Sequence, residues 1–317
     1  MSNSITDTSR ALVEAGLLSP DAKLESIGSG FTYTEGPTWI PVEQKLVFHD
    51  IVQDKRFAWT EETGVVVDAE PTGASNGTTL HWDGALLVCE SGRNRIARHE
   101  PDGSVNIIAE HYQGKELNSP NDITVRSNGD VYFTDPAYGR IPVYGIDRPQ
   151  QLPFQGIYRI PLSGGEPELL STELIQPNGL AFSPDETVLY VADCETGKLW
   201  AFDVVVDGTD DNGALSNGRI FFDGAGVECR WEDAVADRLP SGYLDGTTVD
   251  ERGNVYQTGK GGIWVISPAG DLIGVLELPE DVANLTFGGD DYRTLFLACR
   301  DNVFRVQMTV ASAQQPQ

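Results

Sequence analysis

Apolar positions along this chain fall in short runs cut by turns, and one arrangement of them recurs six times: a polar residue, a β-rich stretch, a tight turn, then a strongly apolar strand. The copies are EGPTWIPVEQKLVFHD from Glu35, NGTTLHWDGALLVCE from Asn76, NDITVRSNGDVYFTD from Asn121, NGLAFSPDETVLYVAD from Asn178, DGTTVDERGNVYQTG from Asp245 and NLTFGGDDYRTLFLAC from Asn284. Their apolar strands end at Asp50, Glu90, Asp135, Asp193, Gly259 and Cys299, an offset of 14 or 15 residues every time. Turns such as HWDG, RSNG and DERG between β-branched and aromatic runs predict a hairpin at each copy.

A third strand follows each hairpin, from RFAWT at 56–60 to NVFRVQ at 302–307, and then a turn such as EPDG or SPAG leads to a fourth, such as VVVDAE or LIGVLEL. Four strands per repeat at a base period of about 40 residues is the pattern of a propeller blade. The predicted fold is therefore all-β, a six-bladed β-propeller. The length of 317 residues would by itself admit two domains, and the repeat reduces them to one. The sixth copy runs out of chain after its third strand, whereas residues 23–32 (KLESIGSGFT) have no partner of their own. This N-terminal strand is predicted to complete the last blade and close the ring. The expected layout is an N-terminal extension over 1–22 with a short helix at 9–18, the propeller over 23–309, and a tail over 310–317.

First strands line a propeller's central channel, so equivalent positions on them form a ring about one axis. Here that ring is Glu35, Asn76, Asn121, Asn178, Asp245 and Asn284. Six oxygen-bearing side chains without Cys or His suit a hard cation, and Ca²⁺ accepts such a set more readily than the smaller, stricter Mg²⁺. Asn-Gly, Asn-Asp and Asp-Gly are also turn dipeptides. Turn chemistry explains each pair singly, but neither Glu35 nor the same polar phase in all six copies. The long insertions, 110–120, 136–155 and 224–243, fall on the face where the ring lies, with 204–217 as the exception on the opposite face. A pocket with the ring at its floor is expected. Arg93, Tyr138, Arg140, Glu195, Trp231, Lys260 and Arg300 stand in those mouth-side loops, and Arg93 and Tyr138 are taken with Asn76 and Asn121 as substrate contacts. Asp50, Glu90, Asp135 and Asp193 recur at second-strand ends, where turn-forming is the default role.

Charge narrows the partners. With 22 Lys+Arg against 48 Asp+Glu the formal charge is −26, which repels phosphate backbones and anionic membranes. No apolar run approaches the ~18 residues of a membrane span, and MSNSITDTSR lacks a signal-peptide layout. The four cysteines include Cys89, Cys194 and Cys299 on non-adjacent blades, expected as buried free thiols of a cytoplasmic protein, with Cys229 alone in an insertion. His49, His81, His99 and His111 lie at different phases of the repeat and cannot converge on the axis.

The motifs EGPTW, SPNDI, FTDPAYG, QPNGLAFSPD and YLDGTTVDERGNVY, in order and at these blade phases, resemble those of the SMP-30/gluconolactonase/LRE-like family. The resemblance runs from about residue 24 to 307. It implies a hydrolase that opens sugar lactones, with one divalent cation, Ca²⁺ first and Zn²⁺ or Mn²⁺ as alternatives. The positions matching its ligands are Glu35, Asn178 and Asp245, with Asn121 as a fourth ligand or substrate contact. Asn76 then serves substrate or water, and Asn284 structure. Animal members carry Arg at the position of Ser119, so their sugar contacts do not carry over. The expected chemistry is polarisation of the lactone carbonyl by the cation, with Asp245 activating water, or attacking directly, and Asn121 orienting the ring. Two other classes compete: a metal-dependent phosphotriesterase or aryl-esterase on the same ring, and a non-catalytic binding platform, against which the acidic ring argues. Oligomeric state is left open.

Overall fold

The structure, a computed structural model, describes residues 7–142, 144–207, 210–226 and 244–314. Six four-stranded antiparallel sheets stand around one axis as six blades, and the two-stranded hairpin His111–Tyr112 and Lys115–Glu116 is an addition on the rim. The innermost strands are Thr34–Ile40, Ser75–Leu80, Ile123–Val125, Pro177–Phe182, Thr247–Val249 and Val282–Gly288. The second strands are apolar runs rather than alternating ones because each blade packs both faces against its neighbours. In Lys45–Asp50, for example, Leu46, Val47 and Phe48 are all fully buried. Burial is lost at the rim, where the consecutive Val66 and Val67 of the outermost strand Gly64–Ala69 are both exposed.

Glu25–Ser29 pairs antiparallel with Asn302–Gln307, Glu25 opposite Arg305 and Ser29 opposite Asn302, so the last blade is closed by the start of the chain as expected. The helix is shifted from its expected place, spanning Asp7–Glu14 rather than 9–18. Gly16, at φ +66, ends it in a left-handed turn that lets the Leu17 N–H donate to the Leu12 carbonyl at 2.9 Å. It packs on the outer strand of blade five, Leu272–Glu277, where Ser9 Oγ donates to the Val275 carbonyl at 3.0 Å. Of the segment 204–217, read as a loop, residues 204–207 and 210–217 belong instead to a long ribbon formed by Lys198–Asp207 and Asp210–Asp223. Most of the 224–243 insertion, including Cys229 and Trp231, lies outside the described residues.

The C-terminal residues cross the lower end of the channel, opposite the long loops. The Ala313 N–H donates to the Val249 carbonyl at 2.9 Å, Thr124 Oγ1 donates to Gln314 Oε1 at 3.3 Å, and Val310 is fully buried. Among the described residues no helix is long and apolar enough to cross a membrane.

A candidate metal centre at the upper end of the channel

Two local devices bring the six ring positions together. The first is a backbone irregularity: the innermost strands of blades one, two, four and six each slip register at the ring position, between Glu35 and Thr38, Ser75 and Thr78, Pro177 and Leu180, and Val282 and Asn284. In blades three and five, Asn121 and Asp245 precede the regular strand altogether. A bulge releases a residue from the alternation of its strand and re-aims its side chain, here towards the axis. The second device is the glycine after the ring residue. A Cβ on Gly77 would lie 2.5 Å from the Asn121 carbonyl oxygen, and one on Gly179 would lie 2.2 Å from that of Asp245. Only glycine allows such an approach, and the approach makes blade-to-blade bonds, Gly77 N–H to Asn121 O at 2.7 Å and Gly179 N–H to Asp245 O at 3.2 Å. The recurrent Asn-Gly and Asp-Gly pairs are thus close-approach elements at the axis, beyond the turn chemistry that such pairs suggest.

Five ring residues, Glu35, Asn76, Asn121, Asn178 and Asp245, line one cavity of about 250 Å³. Asn284 lies outside its lining and accepts the Leu285 N–H at 2.8 Å. Four oxygens of the five, Oδ1 of Asn76, Asn121, Asn178 and Asp245, are buried with no hydrogen-bond partner. Unsatisfied buried oxygens are costly, and four whose residues line one cavity suit a shared positive partner.

The carboxyls agree with this. Glu35 is held well above the usual carboxylate range by burial, then by the charges of Asp245 and Asp122, against hydrogen bonds from Asn284 and the Gly36 N–H. Asp245 is pushed up to about 8 by burial and then by Asp122, against hydrogen bonds with Asn178 and Glu35. Asp122, just beneath the ring, rises to about 7 through burial. Two or three carboxyls that cannot all ionise together describe a site short of positive charge. Among the described residues no group of three or more His, Cys, Asp or Glu is arranged to hold a metal. The donor set here mixes two carboxylates with amide oxygens, which suits an oxygen-seeking ion such as Ca²⁺ and not a thiolate or imidazole metal. The residues fit the cation.

Comparison with known proteins follows the same outline. The sequence pattern described as the SMP-30/Gluconolactonase/LRE-like region matches residues 33–300. The chain belongs to the SMP-30/gluconolactonase/LRE-like family. A gluconolactonase from Zymomonas mobilis is 29% identical over 309 residues, 92% of this chain and 83% of its own length. A pentonolactonase from Haloferax volcanii is 26% identical over 83% of this chain and 80% of its own. Among solved structures, a gluconolactonase from Xanthomonas campestris superposes with a TM-score of 0.82 at 31% identity, over 97% of this chain and 95% of that one.

Of the positions at which this chain resembles the family's ligands, Glu35, Asn178, Asp245 and Asn121 all stand at the cavity floor. Tyr138 lines the wall, where its phenol and the Cys194 thiol are hydrogen-bonded. Arg93 is not brought to the cavity: it donates to Glu90 at 3.0 Å and lies over Gly73. Despite burial, Glu90 is held down to about 2 by His99, Arg95 and Arg93, so this cluster is electrostatically complete. Arg140 is a structural bolt, buried and donating to the carbonyls of Asn118 and Leu117 at 2.7 Å, which fixes the 136–155 insertion to the ring. None of the four histidines lines the cavity, and His49 is buried with Nε2 3.0 Å from Thr78 Oγ1. Cys89, Cys194 and Cys299 are free thiols.

Three residues escape the sequence pattern. Tyr33, two positions before the ring residue Glu35, and Tyr144, from the insertion, meet edge-on at 5.5 Å and 68° above the floor. Burial and then Asp245 keep both phenols protonated, so they can act as donors. Asp122 has a sequence signal in retrospect: Gly77 of the preceding blade leaves room for it, since a Cβ there would sit 2.6 Å from Asp122 Oδ1.

Proposed function

We propose that this protein is a metal-dependent lactonase that opens a sugar lactone of the gluconolactone type to the corresponding acid. The observation that carries the proposal is the set of four buried, partnerless oxygens at the floor of a cavity in a member of this family. Glu35, Asn178 and Asp245 would hold the cation, Ca²⁺ first, with Asn121 as a fourth donor. When bound, a divalent ion supplies Lewis-acid polarisation of the lactone carbonyl and stabilises the negative charge that develops there.

The remaining roles belong to the chain. Asp245 has two carboxylate oxygens, and the one that does not hold the cation takes the proton of the attacking water. Asn121 and Asn76 turn amides into the cavity, where they orient the ester and its hydroxyls. Tyr33 and Tyr144 offer phenolic donors and an apolar wall on which the carbon skeleton of a sugar can rest. Free thiols and an acidic surface fit a reducing, cytoplasmic setting.

The test is a pH-stat assay of aldonolactones, organophosphates and aryl esters on the metal-stripped protein and on protein refilled with Ca²⁺, Zn²⁺ or Mn²⁺. Hydrolysis of aldonolactones that depends on the added ion supports the reading. Full activity after stripping, or turnover confined to phosphotriesters, overturns it.

A further inference from the structure

The cavity wall carries a guanidinium that the proposed chemistry does not use. Arg300 lines the same cavity as Glu35 and Asp245, is half-buried, and forms no hydrogen bond or ion pair among the described residues. In a chain with 48 acidic against 22 basic residues that is unusual, because carboxylates capture arginines elsewhere. Arg56 holds Asp68 at 2.5 Å, Arg98 holds Asp83 at 2.6 Å and Arg219 holds Asp203 at 2.7 Å.

The place of Arg300 in the fold gives it a direction. Asn284, the blade-six ring residue, pairs with Ala298 on the second strand, and Arg300 follows two residues later on the mouth side. Two residues of extended chain put it about 7 Å above the ring. Its charge also acts on the Tyr144 phenol, which borders the cavity. A lactone whose carbonyl lies at the floor projects its far substituent towards this position. The carboxyls on the wall, Glu195 and Asp281, would repel an anion. Among the described lining residues Arg300 is the one cationic partner for it, through a planar fork suited to carboxylate or phosphate.

We infer that Arg300 is a specificity residue that selects lactones bearing an anionic group at the end remote from the ring ester. The inference rests on the lactonase reading and names the substrate class within it. It is tested with two lactones of the same ring size, neutral D-glucono-1,4-lactone and D-glucaro-1,4-lactone with its free carboxylate, on Ca²⁺-loaded protein. The wild type is expected to favour the anionic lactone in kcat/KM. Arg300→Gln should cut that preference about tenfold, mainly through KM, and leave the neutral lactone within about threefold of wild type, while Arg300→Lys keeps part of the preference. An anionic-to-neutral ratio unchanged in Arg300→Gln overturns the inference and leaves the lactonase reading intact. If the wild type opens neither lactone, the lactonase reading fails. Calorimetric titration of the Ca²⁺-loaded protein with D-glucarate and D-gluconate then still decides the role of Arg300: tighter glucarate binding that Arg300→Gln abolishes upholds anion selection, and equal binding ends it.

Discussion

The molecule holds two sets of buried carboxylates near its axis, and they differ in what surrounds their oxygens. The outer set ends the second strands. Asp135 accepts the N–H groups of Asn118 and Ser119, both at 2.8 Å, Asp193 those of Ile175 and Gln176 at 3.3 and 3.1 Å, and Asp50 that of Thr32 at 2.7 Å. Each pins the loop that leads into its own blade's first strand. The inner set is Glu35 and Asp245, and Asp245 Oδ1 has no donor at all. Proton affinity does not separate Asp135 from Asp245, since burial lifts Asp135 to about 7 as it lifts Asp245 to about 8. The vacant lone pairs do. A buried acid that the backbone satisfies belongs to the architecture, and one that the backbone leaves open awaits a ligand.

The comparison can be broken in order of effect. Asp245→Asn should reduce kcat for lactone opening by about 10²–10⁴ without lowering Tm, because the carboxylate it removes is one that the fold holds at a cost. Activity within threefold of wild type would remove Asp245 from the chemistry. Next comes metal stripping. The folded chain binds the Asp245 proton more tightly than the unfolded chain, with a pKa moved from 3.8 to about 8. Metal-free stability should therefore fall as pH rises through that window, the full penalty being present above it. Saturating Ca²⁺ should raise Tm by about 5 °C more at the upper end of the window than at the lower end, as followed by scanning fluorimetry. An equal rise at both ends would mean that the ring carboxyls are not what the ion meets.

The outer set should behave in the opposite way. Asp135→Ala is expected to cost about 1–3 kcal/mol in urea unfolding, by orphaning two buried N–H groups, while the Ca²⁺ response persists. Asp193→Ala, whose bonds are longer, should cost about 1 kcal/mol. A larger loss for Asp193 than for Asp135 would show that bond geometry does not govern this set.

The period and phase of the repeat made the blades, the ring closure and the ring residues legible in the sequence, because they follow from strand pairing and the axis it creates. What surrounds the ring was less so. Tyr33, Tyr144 and Asp122 owe their positions to loop paths and to a neighbouring blade's glycine, neither of which has a period. Arg93 and Arg140 were expected at the mouth from their segments alone, yet Glu90 and the carbonyls of Asn118 and Leu117 draw them elsewhere. A carboxylate three residues away and a carbonyl of the preceding loop follow no strand period, so a search for the repeat does not find them. The 204–217 segment, rich in Gly and Asp, looks like a loop, and pairing within the hairpin, such as Val204 with Leu215, overrides that composition.

The pairing of Glu25 with Arg305 spans 280 residues. While the chain is being synthesised, blade six lacks its outer strand's partner until almost the whole sequence has emerged, and the waiting N-terminal strand must stay unpaired without engaging another chain. Closure of this propeller is therefore a late, long-range event, and trimming either terminus back past this pair opens the ring instead of shortening it by one blade.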